Sequence, residues 1–420
     1  MRTEDERDAF DLSDPLAALR RRFARPHSPD GTDSFDGELA YLCGHSLGLM
    51  PLAARDDVEA VLDAWGALGV GGHFDGTDPW YRYDEALVPA MATLVGAEPG
   101  EVALMGTLTA NLHHVFASFF QPRGQRTKIL IEATAFPSDR YAVMAQLRWH
   151  GLDPHEHLIQ VEPDRAGLFG IDRWRAVLAD RGDEIAVVWL GGVNYLTGEL
   201  LDLGGIVAAG HRAGCLVGFD LAHAAGNVAL RLHEWDVDFA VWCNYKYLNA
   251  GPGAVASLYV HQRHGTDPQR LRLAGWWGND PATRFDMAPD FVPVSGAGGW
   301  RVSNPPILSL APLRASLALF AAAGADALLT KSRALSAYAI EALSAIDSIE
   351  VLTPTDPARR GSQVSIKVPG RAPTLERALR ERGVVVDVRP PDVVRFAAAP
   401  LYSSARDVGR LVETVKSVYD

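Results

Sequence analysis

The sequence predicts an α/β protein: a mainly parallel sheet in a large domain, followed by a smaller α/β domain. Two observations carry this. Between about 100 and 260, short β-branched runs alternate with helix-like segments, and after about 300 a long Ala/Leu-rich stretch gives way to shorter strand-like runs. Near-continuous apolar strands separated by helices imply a parallel sheet covered on both faces. Ligands of such sheets bind beyond the C-terminal strand ends, where the connecting loops gather.

Taken in order, TKILIEA (127–133), HLIQVEP (157–163), EIAVVWLGG (184–192), CLVGFD (215–220), DFAVWCN (238–244) and AVASLYV (254–260) read as strands. SDRYAVMAQLRWHG and DLGGIVAAGHRAG read as the helices between them. The stretch 307–346 reads as one long helical region; its most apolar part, 307–330, carries Arg314 and Asp326 and suits a protein core better than a membrane. IEVLTP, QVSIKV, a helix near 373–382, VVVDVR, VVRFAAAP and a helix from about 405 complete the smaller domain. The expected division is an N-terminal segment (1–50) packing with the small domain, a large domain (51–300) and a small domain (301–420), separated around SGAGG and the Pro305–Pro306 pair.

A net charge of −12, spread along 420 residues, argues against nucleic acid or an anionic membrane as partner, because both reward clustered Lys and Arg. Cys43, Cys215 and Cys243 show no CxxC spacing, so neither a disulfide framework nor a metal site is expected, and a reducing cytoplasmic setting is. The stretch MRTEDERDAFDLSDPLAALRRRF lacks an apolar signal core, so no secretory signal is expected.

Polar residues at strand ends are the candidates for chemistry. One strand ends in Asp220, with His223 close behind in FDLAHAAGN; the next ends at Asn244, with Lys246 just beyond. Ser138 and Asp139 in FPSD sit at a helix start, as do Thr107 and Thr109 in MGTLTANLHH, where free backbone N–H groups favour an anion. Taken singly, Ser138, Asp139 and Thr109 suit helix caps, and His223 suits a hydrogen-bonded core position. Together they place a lysine, a carboxylate and an anion site at one sheet rim. Pyridoxal phosphate needs that set: an amine for the Schiff base, a carboxylate for the pyridine nitrogen and donors for the phosphate.

FDLAHAAGNVAL, WCNYKYLNAGPG, GWWGNDPATRFDM, MGTLTANLH, AFPSDRYA and RVSNPPIL, in this order-preserving set of blocks, resemble the kynureninases, hydrolases of the fold-type I pyridoxal phosphate class. The resemblance spans about residues 40–405. It implies that Lys246 is the Schiff-base lysine, that Tyr245 contacts the phosphate and serves proton transfer, and that Asp220 and His223 lie beneath the cofactor ring. It further implies ring stacking by Phe136, a phosphate cradle at Leu108 and Thr109, and polar neighbours at Ser138 and Asp139. Trp276 and Asn304 match positions that reach the cofactor from the partner subunit of a homodimer with shared active sites. Arg395 matches the clamp for the amino-acid substrate's carboxylate, a task suited to a fork-shaped guanidinium. Ser46, His73 and Asn304 match positions around the substrate's aromatic ring, and the His–Asn combination goes with acceptance of 3-hydroxykynurenine as well as kynurenine.

Two positions depart from the family pattern. His45 stands in GHSLGL where the family usually has Asn, and Gly191 replaces a serine that helps hold the phosphate, a loss worth roughly 1 kcal/mol of cofactor binding. Two other readings compete. GHSLG satisfies the G-x-S-x-G pattern of a serine hydrolase with Ser46 as nucleophile, which requires a core strand before the serine and a helix starting at it. Another fold-type I lyase or aminotransferase is the second, and a desulfurase in particular needs a nucleophilic cysteine on a mobile loop.

Overall fold

The computed structural model describes residues 3–27 and 38–419. Parts of the N-terminal segment expected to pack with the small domain, 1–2 and 28–37, therefore lie outside the described residues, as does 420 at the end of the small domain.

Seven strands form the central sheet: β1 (Val102–Leu104), β2 (Lys128–Glu132), β3 (Leu158–Val161), β4 (Ile185–Gly191), β5 (Leu216–Asp220), β6 (Phe239–Cys243) and β7 (Ala256–Val260). Their spatial order is β1-β7-β6-β5-β4-β2-β3. The run from β6 to β3 is parallel throughout, while β7 runs antiparallel to both its neighbours. All six expected strands are present; β1 was not anticipated, because three residues are too few to display a period.

Side chains alternate faces along each strand, and the sheet is apolar on both. Leu130, Val188, Val217, Ala240 and Trp242 belong to one core; Ile129, Ile131, Val187, Trp189, Phe239 and Val241 belong to the other. A sheet buried on both faces leaves only its ends for polar chemistry. Glu132, Gly191 and Asp220 end three adjacent parallel strands, with Gly191 in register with Asp220 and Asp220 in register with Val241.

The smaller domain is a four-stranded antiparallel sheet in the order Asp387–Arg389, Val393–Ala397, Gln363–Lys367, Glu350–Val351. Its core gathers Leu335, Val364, Ile366, Phe396, Leu411 and their neighbours.

The structure corrects the reading of 307–346 as one helical unit of the small domain. Two helices, Ile307–Ala323 and Ala325–Ser344, meet at 85°. The break falls at Gly324, whose φ of +74° glycine adopts without strain. The first helix packs on Ala53–Leu68, and Leu310, Leu313, Leu317 and Phe320 belong to the large domain's core. The change of core therefore falls inside the second helix, before Leu335, and not at 300/301. An Ala/Leu-rich helix buries several faces at once, so composition could not say which core claims it. Among the described residues no single helix is long and apolar enough to cross a membrane.

The N-terminal segment joins both domains. Helix Glu4–Ser13 packs on Ala405–Tyr419, and Ala40–Tyr41 pairs with Val384–Val385 of the small domain. Phe23 and Leu49 enter the large core instead.

Candidate active site

A cavity of about 350 Å³ opens at the C-terminal strand rim, between the two domains. It is walled by residues from both, with Asp220, His223 and Lys246 from one side and Arg395 from the other. A larger cavity of about 590 Å³ also lies between the domains, but its acid Glu199 and Arg359 are already paired with each other.

Lys246 follows β6 through Asn244, which is anchored by donating to the Val255 carbonyl at 2.7 Å. Gly251 and Gly253, at φ +83° and +74°, turn the chain back into β7. The Lys246 Nζ lies 3.1 Å from His223 Nε2. On the other side of that ring, His223 Nδ1 meets Gln363 Oε1 at 3.2 Å, while the Gln363 amide nitrogen donates to the Tyr195 carbonyl. Gln363 Oε1 can only accept, so Nδ1 carries the proton and Nε2 accepts from the lysine. Burial, then the charges of Lys246 and Arg395, hold His223 well below the ordinary histidine range, so it is neutral.

Three carboxyl groups lie beneath this lysine. Asp220 accepts the Ala222 N–H at 2.7 Å. Burial raises the pKa of Asp220 despite the Lys246 charge, and raises that of Asp139 further, since it also faces the Asp220 charge. Asp139 thus keeps its proton and donates it toward Asp220. Glu132 is pushed up to about 8, chiefly by burial and against the Gly191 N–H. A side chain at 191 would place its Cβ 3.3 Å from Glu132 Oε1, so the glycine there makes room for this acid.

Opposite the carboxyls, the helix Leu108–Phe119 presents its N-terminus. The Thr107 side chain does not cap it, and Thr109 and Ser138 bring their hydroxyls within 2.9 Å of each other. Free N–H groups and two hydroxyls make an anion cradle. Phe136 stands at the same rim, its ring centroid 5.9 Å from Lys246 Nζ.

Arg395 enters from the small domain, directly opposite both Ser365 and Asp387 in the sheet register. Asp387 grips it twice, at 2.7 Å on Nε and 2.6 Å on Nη2, and Nη1 donates to the Tyr195 carbonyl.

Of the expected site residues, Ser46, Leu108, Thr109, Phe136, Ser138, Asp139, Asp220, His223, Tyr245, Lys246 and Arg395 line this one cavity. His73, Trp276 and Asn304 do not. His73 lines a separate cavity with Tyr81 and Arg314, Trp276 is 45% exposed beside Trp277 and Phe285, and Asn304 lies on the surface. Glu132, Tyr195, Gln363, Asp387 and Arg389 were not singled out from the sequence. Glu132 ends a strand just as Asp220 does, so the strand-end rule reaches it. Tyr195 and Gln363 meet partners across the domain junction, and Asp387 and Arg389 pair within the small-domain sheet, contacts that local pattern does not reveal.

The geometry also weighs the competing readings. Ser46 sits in a turn after the two-residue strand Ala40–Tyr41, and the next α-helix begins only at Ala53, so GHSLG forms no strand–nucleophile–helix elbow. All three cysteines are buried, and burial pushes the Cys43 thiol up to about 12 and Cys215 up to about 11. Neither is a thiolate nucleophile at neutral pH.

Comparison with known proteins agrees with this geometry. Residues 328–415 match the family described as "Kynureninase C-terminal domain". A kynureninase of Xanthomonas campestris pv. campestris (strain B100) is 49% identical over 415 residues, covering 97% of this chain and 96% of its own. One from Salinispora tropica is 49% identical over 401 residues, covering 94% and 93%. The chain belongs to the kynureninase family. The family's overall fold recurs in more distant structures, which bear on fold alone. The cysteine desulfurase CsdA of Escherichia coli superposes with a TM-score of 0.75 at 18% identity, covering 96% of this chain and 98% of its own. A C-DES mutant with glycine linked covalently to its PLP cofactor gives 0.74 at 20%, covering 89% and 95%. The fold is that of the fold-type I enzymes, as expected.

Proposed function

We propose that this kynureninase-family protein hydrolyses the Cβ–Cγ bond of L-kynurenine, or of 3-hydroxy-L-kynurenine, in tryptophan breakdown. The products are anthranilate or 3-hydroxyanthranilate and L-alanine. The observation that carries the reading is one cavity joining an amine against a neutral imidazole, a buried carboxylate, an uncapped helix N-terminus and a guanidinium from the facing domain.

These residues fit pyridoxal phosphate. The cavity holds buried polar atoms without partners, Asp139 Oδ1 and Glu132 Oε2, and an open anion cradle. Leu108, Thr109, Ser138 and Tyr245 would hold the phosphate, Phe136 would cover the ring, and Asp220, backed by Asp139, would face the ring nitrogen. When bound, the cofactor supplies an electron sink conjugated to the substrate's α-carbon.

The chain's own groups do the rest. Arg395 binds the α-carboxylate and fixes which bonds face Lys246. The Lys246 amine takes the α-proton, and neutral His223, accepting its hydrogen bond, keeps the amine aimed. Tyr245 or a water beside it supplies the proton that the departing Cβ needs, and a water adds to the aryl ketone so that the carboxyl carbon of the product carries its oxygen. His73, Trp276 and Asn304 complete the pocket from a second copy of the chain, in a homodimer. The exposure of Trp276 and Asn304 in the single chain supports that reading, as does the place of His73 outside the cavity. The buried free thiols support a cytoplasmic setting.

A product assay on the purified enzyme tests the reaction. Anthranilate or 3-hydroxyanthranilate should appear together with equimolar L-alanine, and the ratio of kcat/KM for the two substrates gives the preference. A protein that stays colourless with added pyridoxal phosphate and releases no alanine from either substrate overturns the reading.

A further inference from the structure

We propose that His45, acting through Asp387, is a positioning residue for the substrate-carboxylate clamp. The inference rests on the functional reading above, in which Arg395 binds the carboxylate.

A guanidinium offers five N–H donors. In Arg395, which is 1% exposed, Nε and one N–H of Nη2 are spent on Asp387 and one N–H of Nη1 on Tyr195. One N–H remains on each of Nη1 and Nη2, a pair that suits two carboxylate oxygens. Where that pair points is set by Asp387, because the aspartate holds the guanidinium by two bonds along one edge.

Asp387 is itself contested. Arg389 Nη2 lies 3.0 Å from its Oδ2, on a side chain 37% exposed and able to swing. His45 stands at the other oxygen, Nε2 to Oδ1 at 3.5 Å. The imidazole is fully buried, lines the cavity, and makes no hydrogen bond at either nitrogen. A carboxylate only accepts, so the nitrogen facing it is the one that bears the proton in the neutral ring. A polar group buried without a partner is costly to keep unless it steadies something. What it can steady is Asp387, from the side opposite Arg389. An asparagine at this position would also offer a short N–H donor, so it tests whether donation, and not the imidazole, is the property that matters.

The test uses the holoenzyme and two ligands, L-alanine and L-alaninamide, which has an uncharged amide in place of the carboxylate, with affinities read by calorimetry. His45→Leu keeps bulk without the N–H that faces Asp387 and should weaken L-alanine about tenfold as the clamp loses that support, with L-alaninamide unchanged. In turnover the same variant should raise KM about tenfold while kcat stays within about twofold. His45→Asn should restore both. Unchanged L-alanine affinity in His45→Leu overturns the proposal, as does an equal loss for both ligands or a failure of His45→Asn to restore binding. Should the wild type bind L-alanine in this His45-dependent way yet cleave neither kynurenine, the functional reading fails and the positioning role stands.

Discussion

The two ends of the central sheet bury similar residues and treat them in opposite ways. At the end away from the cavity, Glu101 accepts from the N–H groups of Glu98 and Gln262 and from His233. Asp238 accepts from the Val217 N–H at 2.6 Å, from His211 at 2.9 Å, from His264 at 2.7 Å and from Arg263 at 2.6 Å. Burial alone would raise Asp238, but His211, His264 and the Val217 N–H outweigh it and hold the group below the usual carboxylate range. At the catalytic end Asp139, Glu132 and Asp220 are all displaced upward, and Asp139 and Glu132 each keep an unpartnered oxygen. One end has its carboxylates satisfied within the chain; the other keeps its own available for a ligand. The first arrangement supports stability, and the second spends some of it on function.

The sharpest way to break this contrast is to exchange the consequences of mutation. Lys246→Ala, at the catalytic end, should cut kcat by roughly a thousandfold or more, because it removes the proton acceptor. Its thermal midpoint without cofactor should match or exceed that of the wild type, since a half-buried amine against His223 is lost. A clear fall in stability with turnover retained would invert the assignment of the two ends.

Asp238→Ala is the counterpart. Removing a buried carboxylate from between two histidines and an arginine should destabilise the fold by about 3–5 kcal/mol, read by denaturant unfolding. Turnover per folded molecule should be unchanged. The pH dependence gives a second check. Asp238 has its folded pKa depressed, so its contribution is fully present above the unfolded value and is lost as pH falls through the folded one. Wild type and variant should therefore converge in stability in strong acid and diverge toward neutrality.

The sequence announced the catalytic end and was silent about the far one. Lys246, Asp220 and the MGTLT and FPSD helix starts were legible because parallel strands covered on both faces show as continuous apolar runs, and their last residues stand out. Six of the seven strands followed from the same signal. The network around Asp238 was not legible: Glu101, His233 and the short turn carrying both His261 and His264 come from separate parts of the chain and meet only when the sheet closes. The same limit hid Gln363 and Asp387, whose partners His223 and Arg395 lie across a domain junction or on a neighbouring strand. His73, Trp276 and Asn304 mark a third limit, since a single folded chain leaves them outside the cavity.

A last comparison isolates the strain at the catalytic end. Glu132 has a folded pKa near 8 against an ordinary 4.5. Between those values the folded protein holds a proton that the unfolded chain releases, so this group's contribution to stability falls as pH rises through the window and levels off above it. Glu132→Gln keeps the shape of the neutral acid and cannot ionise. Without cofactor, the variant and the wild type should share a thermal midpoint near pH 4, and the variant should be the more stable by pH 8.5. Asp139 and Asp220 remain, so the slope of the variant should be shallower but not flat. Parallel curves for the two proteins would mean that Glu132 gives up its proton without penalty, and the catalytic end would then be no less well satisfied than the far one.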